Sequence, residues 1–325
     1  MLTVRRRNHL LSALFSCVTL AAQAQSPAAP MTLVVPYPAG GPLDTSARIA
    51  AEGASAQLGK ITVENKPGAG GGTGADLVAK APKTANMVLM GAVATHAVNP
   101  WLYKSFPYDP IKDFKPLVLV ARTPNVLVMN AEQAKRLDIN TTTDLVKYLK
   151  SHPDQLQYGS GGNGSIGHIA GEMFKSLTNT RMPHAPFQGA GPALKALQDG
   201  GVDIVFDNLA SSLPLIQGGK LKALGVTSLG SDDALPHVPS INSEVPGFNV
   251  STWFGLFAPA TLPAADAQKY ATAFSKAMHS PAGKAQFQKM GLTPEELTLG
   301  GFGSFVRSEL GKYEFLIKAA KIHID

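Results

Sequence analysis

Two glycine-rich turns, each between a strand-like and a helix-like run, constrain this chain more than any other feature. The first is Val34-Val35-Pro36-Tyr37-Pro38-Ala39-Gly40-Gly41-Pro42-Leu43-Asp44, and the second is Tyr158-Gly159-Ser160-Gly161-Gly162-Asn163-Gly164-Ser165. Such turns expose backbone N–H groups at a helix N-terminus, where unpaired donors and the helix dipole favour an anion. Two of them, one in each half of the chain, imply two lobes closing on a small carboxylate. The pattern predicts binding, and no catalytic constellation accompanies it.

The N-terminus predicts export. Arg5-Arg6-Arg7 is a basic segment, Leu10 to Ala22 an apolar one, and Ala22-Gln23-Ala24 an A-x-A cleavage site. Residues 1–24 are expected to leave as a signal peptide, giving a periplasmic chain that starts at Gln25. The apolar run is short for a membrane span, and Leu14-Phe15-Ser16-Cys17 is a poor lipobox. Cys17 is the single cysteine, so the mature chain is expected to lack disulfides and thiolate metal sites. Loss of three arginines lowers the formal charge from +6 to +3. No basic cluster with interleaved aromatics remains, which argues against nucleic acid.

Apolar runs alternate with helical patterns, the signature of an α/β protein with largely parallel sheet. Strands are expected at 32–35, 61–65, 87–90, 117–121, 126–129, 156–158, 202–206 and 222–226. Asp44 is expected to cap a helix with Ala47, Ala50, Ala51, Ala54 and Leu58 on one face. Ile166, Ile169, Ala170, Met173, Phe174 and Leu177 form the best helical stripe in the chain. Pro192 is expected to open a helix that Gly200-Gly201 ends. Residues 228–247 read as a loop, and three helices, around 264–279, 282–290 and 302–320, close the chain. About 300 mature residues exceed one ordinary core. The expected division is a lobe from 25–125 and 251–325, another from 126–250, and crossing strands as the hinge.

Other candidate chemistries fare less well. Gly70 to Ala75 contains G-x-G-x-x-A, but no ribose-binding acid follows at the usual distance, so a strand–helix turn is the plainer reading. Ser160, Ser165, His168 and Asp207 invite a hydrolase reading, yet neither serine sits in G-x-S-x-G. His168 is placed to pack or to donate to a nearby carbonyl. Thr95-His96 follows a strand and is expected at the cleft mouth. Asp207 is expected at the carboxyl end of a strand, where it either meets polar ligand groups or orients the turn. The eight histidines are scattered, which argues against a metal site.

Several ordered motifs resemble the periplasmic substrate-binding proteins of tripartite tricarboxylate transporters, the Bug or TctC family. They are Val35 to Gly41 with Asp44 and Arg48, Glu64 to Gly71, and Thr95 to Pro100. Tyr108 to Phe114, Gly164-Ser165 with His168 and Gly171-Glu172, Phe206-Asp207-Asn208 and Trp253 to Leu256 continue the series. The resemblance implies a two-lobed Venus-flytrap fold, no enzymatic activity, no cofactor, and a monomer that works with integral-membrane transporter subunits. A ligand-presenting role in signalling is the alternative. The implied ligand residues are Tyr37, Pro38, Ala39, Gly40, Gly41 and Asp44 in one turn. Ser160, Gly161, Gly162, Asn163, Gly164 and Ser165 form the other. Thr95, His96, His168, Phe187, Gln188, Gly189, Ala190 and Asp207 complete the set. The ligand would be a di- or tricarboxylate, an acidic amino acid or an aromatic acid. Leu43 replaces a frequent Thr or Ser, Phe187-Gln188 a frequent Tyr-Lys, and residues 82–86 lack the usual Asp-Gly-Tyr-Thr hairpin. The first two departures point to a less anionic or more apolar ligand, such as an aromatic monocarboxylate.

Overall fold

The computed structural model describes residues 30–319. The proposed signal peptide, with Cys17, lies outside them. The chain begins with β1 (Met31–Val35), α1 (Pro42–Leu58), β2 (Ile61–Asn65), α2 (Gly72–Ala79), β3 (Met87–Ala92) and α3 (Asn99–Leu102). A long strand, β4 (Phe114–Asn130), then leads to α4 (Ala131–Arg136), α5 (Thr142–Ser151), β5 (Tyr158–Ser160) and α6 (Ile166–Thr178). Next come β6 (His184–Pro186), α7 (Ala190–Asp199), β7 (Ile204–Asn208), α8 (Leu209–Gln217), β8 (Leu221–Val226) and α9 (Ile241–Glu244). β9 (Ser251–Pro259), α10 (Ala264–His279), α11 (Pro281–Lys289), β10 (Thr293–Pro294) and α12 (Leu299–Ala319) complete it.

The strands follow the order β2-β1-β3-β9-β4-β7-β5-β6, with β8 and β10 also pairing to β4. β4 is shared between two sheet halves. Its residues 114–124 pair antiparallel with β9, and its residues 125–129 pair antiparallel with β7. Among the named strands of the described residues, parallel pairing joins β1 with β2 and β3, and β5 with β6 and β7. The sheet is therefore mixed rather than largely parallel, because the crossing strands run against their neighbours. β4 also replaces the two strands expected around Pro124-Asn125. Pro124 falls where β4 leaves β9 and takes up β7, a handover at which a missing N–H is least costly.

Local sequence explains most helices. The small-residue face of α1 is buried as expected, with Ala47, Ala50 and Ala54 fully so. The cap differs: Gly41 holds the N-cap position, Pro42 follows it, and Asp44 lies inside the first turn. α6 buries Ile166, Ile169, Ala170, Met173 and Phe174, while Leu177 at the end of the stripe is 44% exposed. α7 starts at Ala190 behind Gly189, two residues before Pro192, and ends at a left-handed Gly200. The strand–helix turn expected at Gly70 to Ala75 leads into α2, whereas α4, barely two turns, and α8, which contains Pro214, carry weak local signals.

The core of the first half gathers around β9, which is buried from Thr252 to Pro259. Trp253 stacks edge-on against Phe302 and donates its indole N–H to Glu309 at 3.1 Å. Gly255 faces the same ring, and a methyl group there would lie 2.2 Å from Phe302 Cζ. Because Phe302 is itself fully buried, Gly255→Ala is expected to cost about 1–3 kcal/mol through overpacking. A fall in the urea midpoint with an unchanged slope would show this.

Candidate functional site

A cavity of about 550 Å³ lies between the two sheet halves, lined by residues from both. That volume lies in the range of small-molecule sites, roughly 300–1,000 Å³. Four helix starts line it: Gly41 to Asp44 of α1, Ser165 to Gly167 of α6, Gly189 to Gly191 of α7, and Asn208 with Ala210 and Ser211 of α8. First-turn N–H groups have no intrahelical acceptor, and each helix carries a positive partial charge at this end. None of the lining residues is Lys, Arg or His. Any preference for an anion therefore comes from oriented backbone rather than from a cationic side chain. Leu43, Ile166, Leu194, Phe254 and Met290 supply an apolar wall.

The first turn is fixed by Asp44. Its carboxylate accepts the Gly40 N–H at 2.9 Å, a two-point contact from Arg48 at 3.0 and 3.0 Å, and the Asn65 amide at 2.9 Å. Asn65 also donates to the Tyr37 carbonyl at 3.0 Å, and so ties β2 to the turn. Burial acts to raise the Asp44 pKa, but the bonds from Arg48, Gly40 and Asn65 outweigh it and hold the group below its ordinary value. The carboxylate lies at the cavity wall with its oxygens committed to the protein. Its role is to shape the turn.

The second turn rests on stacked rings. Ser165 caps α6, its hydroxyl accepting the His168 N–H at 3.2 Å. The His168 ring does not donate to a carbonyl: Nδ1 instead accepts the Gly164 N–H at 3.3 Å. Behind it, His184 stacks on His168 at 4.3 Å and on Tyr158 at 4.7 Å, and contacts the Ser160 hydroxyl at 2.7 Å. Burial, with the nearby His168, lowers the His184 pKa to about 4, so both rings serve as neutral packing pieces. No hydrolytic triad is assembled, since Ser160 is fully buried and Asp207 bonds to Ser212 at 2.9 Å. At Gly162, with φ of +124°, a methyl group would lie 2.9 Å from the Phe187 carbonyl oxygen.

The two sheet halves meet at Asn125. Its N–H donates to the Thr227 hydroxyl at 2.8 Å, and its side-chain oxygen accepts from Thr252 at 2.7 Å. Asn125 and Thr252 both line the cavity beside Asp207 and Asn208 at the end of β7. Burial raises the Asp207 pKa to about 7, against the opposing bonds from Ser212 and the Asn208 N–H.

Of the residues expected here, Tyr37, Pro38, Ala39, Gly40, Gly41, Asp44, Gly161, Ser165, Gln188, Gly189, Ala190 and Asp207 line the cavity. Thr95, His96, Ser160, Gly162, Asn163, Gly164, His168 and Phe187 are not among the lining residues. His96 is fully buried, stacked 3.6 Å above Phe257, and burial drops its pKa to about 3. Ser160, His168 and Phe187 stand behind the second turn, and the Phe187 N–H donates to the Ser160 carbonyl at 3.0 Å. Asn125, Thr252, Phe254, Ala210, Ser211 and Met290 line the cavity although the sequence did not mark them as ligand residues. Only the Asn208-Leu209 boundary, a strand end followed by an apolar helix, carried a local hint of the α8 start.

The architecture is that of a two-lobed periplasmic binding protein. The family model described as "Tripartite tricarboxylate transporter family receptor" matches residues 46–322, and the chain belongs to that family, TctC. A protein of Pseudomonas sp. (strain P51), named for the tcbD-tcbE intergenic region, is 34% identical, with 99% of this chain and 96% of that one covered. The solved structure of R. palustris Rpa4515 with adipate has a TM-score of 0.85 and 32% identity, over 91% of this chain and 98% of that one. MatC of Rhodopseudomonas palustris with bound malate gives 0.82 and 30%, over 89% and 98%. The family comprises periplasmic substrate-binding proteins, not enzymes.

The Asp44 network has a defined pH signature. Its folded-state pKa lies below the unfolded value, so its stabilisation is full above about pH 4 and is lost as pH falls through the folded value. Arg48→Met removes the cation that holds the buried carboxylate ionised, so the variant loses stability chiefly at neutral pH, where Asp44 is charged, and little at acid pH, where it is protonated. Urea unfolding from pH 3 to pH 7 is expected to show a smaller difference between wild type and variant at the acid end than at neutrality.

Proposed function

We propose that the chain captures a small organic carboxylate between its lobes and delivers it to the membrane subunits of a tripartite tricarboxylate-type transporter. The observation that carries this reading is the convergence of four helix starts on a cavity with no basic side chain. Such a wall recognises a carboxylate through backbone donors and leaves the rest of the ligand to apolar contacts. Adipate and malate in the related structures support the ligand class. Leu43 and Gln188 line this cavity, in keeping with a ligand less anionic than citrate. Residues 1–24 are removed on export in this reading, and the mature chain acts as a monomer. Residues 25–125 with 251–325, and residues 126–250, form the two lobes, and the strands around Asn125 and Thr252 form the hinge.

Closure brings the Gly68–Gly71 turn against the second ligand turn. The Gly70 carbonyl accepts from Tyr37 at 3.1 Å and from Asn99 at 3.0 Å. A methyl group on Gly70 would sit 3.2 Å from the Asn163 carbonyl oxygen, in a backbone with φ of +61°. The turn thus holds the first ligand turn through Tyr37 and receives the second through Asn163.

Thermal unfolding of the mature protein against mono-, di- and tricarboxylates, amino acids and aromatic acids tests the reading. A ligand at a hundredfold its Kd is expected to add about 2.7 kcal/mol. No stabilisation by any carboxylate, in protein free of co-purified ligand, would overturn it. Gly70→Ala is expected to weaken capture at least several-fold and, by small-angle scattering with ligand present, to leave a larger radius of gyration than wild type. Gly72→Ala, where a methyl group meets only Ala69 at 3.6 Å, serves as the control with wild-type affinity.

A further inference from the structure

We propose that Asp207 meets the ligand as a neutral acid, donating its carboxyl proton to a ligand carboxylate oxygen, so that capture above neutral pH takes up one proton. This rests on the carboxylate reading and deepens it. Asp207 is 4% exposed and stands in the cavity wall where β7 passes into α8. One oxygen accepts from Ser212 at 2.9 Å. Among the described residues no ion pair reaches it, unlike Asp44, the other acid on the wall, which Arg48 holds.

The neighbouring elements offer no counter-charge. β4 and β9 present Asn125 and Thr252, and α8 presents Ser211 and Ser212. On α6, His168 is turned toward His184. Across the cavity stand Tyr37 and the committed Asp44. An ionised Asp207 beside an anionic ligand would leave like charges facing one another in a site without a cation, an arrangement that drives protonation of one partner. The protein carboxyl, already raised by burial to about 7, takes the proton before a ligand carboxylate of ordinary acidity does. The O–H bond stays with Asp207, and the ligand oxygen accepts from it, so no covalent bond is exchanged with the ligand. Asn208 Oδ1 is buried at the same corner without a hydrogen-bond partner. Its amide orientation is interchangeable, so it can turn its NH2 to the same ligand oxygens.

The linkage fixes the sign. Below about pH 7 Asp207 already holds its proton, and Kd is flat; above it, each pH unit weakens binding up to about tenfold. The test is calorimetry of the full mature protein from pH 6 to pH 9. The probe is whichever of adipate, malate, citrate and benzoate binds most tightly, titrated in two buffers of different ionisation enthalpy. Wild type is expected to take up close to one proton per ligand near pH 8.5 and almost none at pH 6. Asp207→Asn, which keeps a donor of the same size, is expected to bind with a flat pH profile and no proton uptake. Binding without uptake in wild type overturns the proposal while the carboxylate reading stands, and needs no variant to be folded. Preference for an amine-bearing acid, with affinity rising with pH and lost in Asp207→Asn, also overturns it, because Asp207 would then act as an anion. If neither these four probes nor aspartate and the other acids of the thermal-unfolding screen bind at any pH, the carboxylate reading fails and the proposal with it.

Discussion

The antiparallel pairing of β4 with β9 sets the frame within which both sheet halves are built. β9 is buried through almost its whole length, and it aligns residues 114–124 of β4 beside the parallel strands of the first half. β4 then continues without a break as the partner of β7 and β8. One strand therefore belongs to both sheet halves, and the cavity lies where it changes partners. Asn125 is buried at that handover, and Thr227 and Thr252 satisfy its polar groups there. A polar group buried without such partners would carry a desolvation cost of about 1–3 kcal/mol.

From this frame the character of the cavity follows. Strands of both halves direct their ends to the same place, so the helices that follow β1, β5, β6 and β7 begin there. Their N-termini create a region favourable to negative charge, and no lysine or arginine is among the residues that line it. Side chains of the turns mostly face inward to the protein. Asp44 is occupied by Arg48, Gly40 and Asn65, and Ser160 is occupied beneath its turn by His184. A scaffold of this kind fixes the position of donors while the ligand-facing surface stays small and largely apolar. That division accounts for a family in which related chains are seen with adipate and with malate.

The turns themselves were legible because glycine spacing and the apolar runs on either side are local signals. Gly40-Gly41, Gly161 and Gly189-Ala190 all reach the cavity wall. His96 shows where local reading stops. It follows a strand as a site residue would, but the π-helical turn Ala94–Val98 buries its ring against Phe257. Pro124-Asn125 reads as a break between strands, and the ladder runs through it because β9 and β7 take over from each other at that point. Met290, Phe254 and Thr252 line the cavity from far along the chain, and no spacing rule ties them to residue 40 or 160.

The alternation of strands and helices, the two glycine turns, the apolar face of α1, most of that of α6, and the family to which the chain belongs are all readable from the order of residues. These are properties of neighbouring residues: periodicity, turn chemistry and motif order. Tertiary structure alone decided which groups meet across the chain. It set Asp207 in a cavity without a cation, stacked His168 on His184, and brought Gly70 against Asn163. Such pairings depend on how β4 and β9 cross, and burial and electrostatics act over distances in space that have no counterpart in chain separation.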